Sequence, residues 1–127
     1  MARYFIVVIF LVLFCGCQDN TSVTGNYPVN GFATWYNPRL TASGERYRKN
    51  ELTCALRERD FGKYYLVCNL ENNRCIAVKH NDFGPALRLF KRGTIIDLSR
   101  HAFSKIADLR KGIVRVRIGE IYSGKAD

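Results

Sequence analysis

Apolar and polar residues change rhythm several times along the chain, and each change marks an element. Tyr4 to Phe14 is an unbroken apolar run of eleven residues with Arg3 ahead of it and small Gly16 behind it. A membrane-spanning helix needs about 20 such residues, so residues 1–16 have the layout of an export signal. Residues 17–30 are polar and rich in turn formers, which suits a flexible tether; a folded body is expected over 31–120 and a tail over 121–127. Within the body, Gly31 to Tyr36 reads as a strand stopped by Asn37-Pro38. Leu52 to Leu56, Tyr64 to Leu70 and Ile76 to Asn81 are further β-type runs, the last two forming a hairpin, and Thr94 to Leu98 is a fifth. Ser99 suits the N-cap of a helix from Arg100 to about Leu109, with Ala102, Phe103, Ile106, Ala107 and Leu109 on one side. The alternation of Val114, Val116 and Ile118 with Arg115 and Arg117 predicts a last strand, Ile113 to Ile118, with one buried face. Six short strands and one helix, without internal repeats, predict a mainly β protein built as a small closed barrel.

Length and charge narrow the picture. At 127 residues and 47% hydrophobic composition the chain holds one core and one domain. The formal charge is +9, and removing residues 1–16 takes away only Arg3. Such a balance favours anionic partners. For an exported protein these are cell-wall polymers, anionic glycans or lipid head groups; no nucleic-acid motif is present.

Cysteines sharpen the export reading. Cys17 directly follows Gly16, an arrangement that resembles a bacterial lipobox, with Phe14 and Cys15 departing from the usual pattern. Lipidation at Cys17, followed by Gln18, resembles sorting to an outer membrane facing the periplasm; ordinary secretory cleavage would leave a soluble product. Export permits disulfides. A hairpin turn centred between residues 71 and 72 sets Cys68 opposite Cys75, whereas a turn on Asn72-Asn73 pairs Cys75 with Leu70, so the register decides whether those two cysteines join. Cys54 then remains as a small buried residue. Neither the cysteine spacing nor His80 and His101 form a zinc site, and no metal or other cofactor is expected.

The candidate chemistry centres on Lys79 to Pro85. A β-type run enters a polar pair and then a Gly-Pro break, which puts Asp82 where a strand gives way to a loop, the usual place for a displayed functional group. Gly31-Phe32-Ala33-Thr34-Trp35-Tyr36, Thr41-Ala42-Ser43-Gly44-Glu45, Leu52-Thr53, Asn69-Leu70, Asn81-Asp82-Phe83-Gly84-Pro85 and Ile96-Asp97-Leu98-Ser99 together resemble the rare lipoprotein A family of bacteria, over about Gly31 to Ile118. The resemblance implies a six-stranded double-psi β-barrel of the kind shared with expansins, with peptidoglycan as ligand. It also implies a lytic transglycosylase, which cleaves glycan strands endolytically and leaves 1,6-anhydromuramic ends.

In that chemistry one carboxyl group protonates the glycosidic oxygen and then takes the proton of the C6 hydroxyl, which closes the anhydro ring without water. Ordinary glycosidases use two carboxylates. The resemblance gives the acid and base role to Asp82 and an assisting role to Glu45. The acid must hold its proton near neutral pH, which calls for a partly apolar site, and Phe83 and Trp35 are the expected walls. Trp35 and Tyr36 are candidates for stacking on sugar rings, or for the core. Ser43, Asn81 and Arg88 are candidate ligand contacts. Asp97 precedes the Ser99 cap and reads as a structural hydrogen-bonding residue.

The chain departs from the family where Leu56 stands in place of a His that usually follows Leu-Thr-Ala-Ala. His80, two residues before Asp82 in an extended strand, is expected on the same side as Asp82 and is the candidate to replace the lost imidazole. A rival reading is a non-catalytic peptidoglycan-binding or expansin-like barrel that has lost turnover. In either case a monomer is expected, without a C-terminal peptidoglycan-binding repeat.

Overall fold

Short strands, some alternating inside and outside residue by residue, build the wall of a closed barrel. The computed structural model describes residues 27–121, so the signal segment, the lipobox at Cys17 and most of the tether lie outside the described residues. Six strands are present: β1 (Val29–Tyr36), β2 (Thr53–Leu56), β3 (Tyr64–Asn69), β4 (Cys75–Phe83), β5 (Thr94–Ser99) and β6 (Ile113–Ile121). They close in the order β1-β5-β2-β4-β3-β6. Two pairs, β1 with β5 and β2 with β4, are parallel, and the other neighbours are antiparallel. Val114, Val116 and Ile118 point inward and Arg115 and Arg117 outward, as the alternation predicts. With Ala33, Val67, Val78, Ile96 and Leu98 they form the core, which Ala102, Phe103 and Ile106 of α2 (Arg100–Ile106) close. Among the described residues no helix is long and apolar enough to cross a membrane.

Several boundaries differ from expectation. β1 starts at Val29, inside the expected tether, because Val29 and Asn30 pair with Ile118 and Arg117. The last strand runs on to Ile121, held by Tyr64 and Tyr65 of β3. The helix after Ser99 is shorter than its apolar pattern suggests: the Ser99 hydroxyl caps it through the Ala102 N–H at 3.2 Å, but Ala107 is already extended. The Asp108 side chain then caps a separate turn, Leu109–Lys111. A second short helix, α1 (Leu87–Phe90), has no side-chain cap that could have announced it.

The hairpin register is settled. Cys68 pairs with Cys75, the two sulfurs are bonded, and Asn73 takes the left-handed turn conformation at φ 59°. Cys54 is a buried free thiol.

Each parallel pair carries one unmatched residue. Ile95 is skipped between Phe32 and Ala33 of β1, and Asn81 is skipped between Cys54 and Ala55 of β2. Such bulges re-aim the side chains that follow them. The one at Asn81 positions the site.

Candidate active site

β4 enters the bulge with His80 opposite Cys54 and leaves it with Asp82 opposite Ala55. Cys54 and Ala55 are both buried, but Cys54 joins the main core cluster and Ala55 lies outside it, so the extra residue turns His80 toward that cluster and Asp82 away from it. The expected alternation, with His80 and Asp82 on one side, is therefore corrected. His80 is 0% exposed, and its ring packs 5.1 Å from Phe61 and 6.1 Å from Tyr65. Nε2 lies 2.9 Å from the Asp82 backbone carbonyl. A carbonyl only accepts, so Nε2 carries the hydrogen, and buried Nδ1 has no partner among the described residues. His80 supports the Asp82 backbone and does not reach its carboxylate.

The Asp82 side chain, 7% exposed, gathers three donors. Oδ1 accepts from the N–H of Ala42 at 2.8 Å and from the N–H of Phe83 at 2.8 Å. Oδ2 accepts from the Tyr36 hydroxyl at 2.7 Å. Tyr36 stands at the end of β1, and burial together with the Asp82 carboxylate pushes its phenol far above the usual range, so it remains a donor. Ala42 comes from the turn between β1 and β2, which docks on β4 through the Ser43 N–H and the Asn81 carbonyl at 3.2 Å. Gly44, at φ 89°, permits that turn.

Glu45 leaves the same turn into solvent. Its Oε1 meets the Lys79 ammonium at 2.8 Å and its Oε2 accepts from Asn81 Nδ2 at 3.3 Å. The Lys79 hydrogen bond first, then that of Asn81, hold its carboxyl below the ordinary range. Ser43 is half-buried and spends its hydroxyl on Thr41 Oγ1 and the Glu45 N–H. Asn81 Oδ1 is buried without a partner among the described residues.

Asp97 adds a second carboxyl group, one whose place in the sequence pointed to a structural hydrogen bond more than to catalysis. It pairs with Thr34 across β1 and β5, and Thr34 Oγ1 donates to its Oδ1. Burial raises the Asp97 carboxyl, the Thr34 hydrogen bond opposes this, and the field of Asp82 adds to the rise. Its Oδ2 faces Gly84, two residues beyond Asp82. The signal lay in the shared register of Thr34 and Asp97, which depends on a parallel pairing not readable from the chain.

Not every expected residue joins the site. Trp35 is half-buried, packs against the core, as the alternative reading expected, and donates its indole N–H to the Leu109 carbonyl at 3.1 Å. The other expected wall, Phe83, carries the guanidiniums of Arg57 and Arg59 over its ring. Arg88 is exposed on α1 and makes no contact with Asp82, Glu45 or their partners among the described residues. Leu56, expected from the resemblance to stand in place of a His, sits in the core and lines a cavity of about 650 Å³ with Tyr27, Phe90, Ile95 and Ile118. Its strand neighbour Ala55, not Leu56, is opposite Asp82. Among the described residues no group of side chains could hold a metal ion.

A closed six-stranded barrel with a carboxylate held at a bulged strand end defines the class: a double-psi β-barrel. Solved structures share the architecture. A Streptomyces papain inhibitor superposes with TM-score 0.59 at 22% identity, covering 76% of this chain and 97% of that one. An expansin of Clavibacter michiganensis superposes with TM-score 0.61 at 15% identity, covering 79% of this chain and 53% of that one. Residues 28–118 match the model of a family described as lytic transglycolase. The chain belongs to that family, which is the family of rare lipoprotein A. The endolytic peptidoglycan transglycosylase RlpA of Pasteurella multocida is 41% identical over 105 residues, 80% of this chain and 34% of that protein. Its counterpart in Campylobacter jejuni is 36% identical over 111 residues, 84% of this chain and 39% of that protein. The chain thus spans a little over a third of the length of these relatives.

Proposed function

We propose that this barrel cleaves the glycan strands of peptidoglycan as an endolytic lytic transglycosylase, leaves 1,6-anhydromuramic ends and so remodels the cell wall. The observation that carries the reading is the unequal treatment of the two Asp82 oxygens. Oδ1 faces two backbone N–H groups, which can only donate, whereas Oδ2 faces a hydroxyl that can donate or accept. A proton on Asp82 therefore belongs on Oδ2, where Tyr36 accommodates both states.

In the first step Oδ2–H gives its proton to the glycosidic oxygen, and the bond from that oxygen to C1 of the muramic residue breaks. The C6 hydroxyl oxygen then bonds to C1, and its proton passes to Oδ2, so water is neither consumed nor needed. Tyr36 positions Oδ2, and the Ala42 and Phe83 amides fix Oδ1. Glu45 and Asn81 stand beside the carboxylate as assisting and ligand-binding groups, and Asp97 presents a second carboxyl whose burial favours its neutral form. No cofactor takes part. In this reading the chain is exported, is anchored by a lipid on Cys17 in an outer membrane facing the periplasm, and acts as a monomer.

Mass spectrometry of digested sacculi tests the activity. New anhydro-muropeptides that vanish with D82N support it. The second reading, wall binding without turnover, rests on Leu56 standing where the family has His; sedimentation with sacculi and no new ends would favour it.

A further inference from the structure

Resting on the wall-polymer reading, we propose that Arg57 and Arg59 form a carboxylate clamp beside Asp82 that recognises an acidic group on the glycan ligand. Their guanidinium carbons lie 4.9 and 4.2 Å from the centre of one ring, that of Phe83. Phe83 is the residue whose N–H holds Asp82 Oδ1. The two cations are thus carried on the ring of the residue that follows Asp82 in β4.

Neither guanidinium has a carboxylate partner among the described residues. The carboxylate between them in sequence, Glu58, turns away to accept from the Tyr27 hydroxyl at 2.6 Å. Arg57 is further held by one N–H to the Pro85 carbonyl at 2.8 Å and by the Phe90 ring at 5.6 Å. Each guanidinium has five N–H donors; Arg57 spends one on Pro85 and Arg59 spends none among the described residues, which leaves donors in the fork geometry that fits a carboxylate. With two positive charges held at one ring, an anion bound at that ring is attracted by both.

Wall glycan offers a carboxylate from two sources. One is the lactyl group of muramic acid, free in strands stripped of peptide, and the other is the peptide stem. Both present the same chemistry to the clamp.

Binding is measured in a D82N background, so that strands are not consumed, with stripped strands, peptide-bearing strands, carbodiimide-amidated versions of each, and an uncharged chito-oligosaccharide. R57Q/R59Q should weaken binding to an untreated strand at least about tenfold, the worth of a charge-assisted hydrogen bond. The unmutated clamp should lose as much on amidation, and both proteins should bind the chito-oligosaccharide alike. A loss confined to stripped strands assigns the sugar's own carboxylate; one confined to peptide-bearing strands assigns the stem. Equal binding of amidated and untreated strands by the unmutated clamp overturns the proposal without help from any variant that fails to fold. An equal loss for the chito-oligosaccharide overturns it too, by reducing the arginines to supports for Phe83. A protein with the clamp intact that binds no untreated strand overturns the wall-polymer reading along with it.

Discussion

Asn81 gives β4 one residue that β2 does not match, and that single insertion decides which side chain is available for chemistry. Without it, Asp82 would share the inward face with His80. With it, the carboxylate meets Tyr36, Ala42 and Phe83 instead. The Asp82 position was legible from the polar strand end, but the orientation of His80 was not, because a bulge is a property of two strands and the second lay far away in sequence. Tyr36→Phe should lower kcat by about ten- to a hundredfold, the worth of one hydrogen bond to a charged group, while KM stays near the parent value. In the D82N background the same change should cost little more, since the two groups act as a unit. Asp97 makes a pH prediction. Its carboxyl is raised above the ordinary 3.8, so its contribution to stability is full below that pH and is lost as pH rises through the folded-state value. D97N should remove that decline, which denaturant titrations across mildly acidic pH would reveal.

At the scale of elements, β-type runs marked the strands, and alternation marked the inner face of β6, which follows its pattern residue by residue. Ends were harder. α2 stops at Ile106 because Asp108 caps a new turn, although Ala107 and Leu109 continue the apolar stripe. The β3–β4 hairpin is closed by Cys68 and Cys75, seven residues apart in sequence. A loop that short should contribute about 2 kcal/mol through the unfolded chain, so a Cys68→Ser/Cys75→Ser protein should lose about that much in chemical denaturation and become insensitive to reductant. β1 approaches β5 closely at Gly31, where an added Cβ would lie 2.7 Å from Ile95 side-chain carbons. Gly31→Ala should therefore destabilise the barrel by about 1–3 kcal/mol, the usual cost of overpacking, readable as a lowered denaturation midpoint.

For the whole molecule, length and composition pointed to one domain, the six strand runs to a small barrel, and the ordered motifs to its family. The parallel pairings of β1 with β5 and of β2 with β4 leave no local trace, and they bring Thr34 to Asp97 and set Ala55 opposite Asp82. Arg57 and Arg59 went unnoticed for the same reason, since only the pairing of β2 with β4 carries them to Phe83. The central claim is that Asp82 cuts glycan without water, and it is tested most directly by the products that the purified chain makes from stripped glycan strands in heavy-oxygen water. New anhydro ends without the label, absent with D82N, are the predicted result. Labelled reducing ends would mean hydrolysis, and no new ends at all would mean binding without turnover; either outcome contradicts the account.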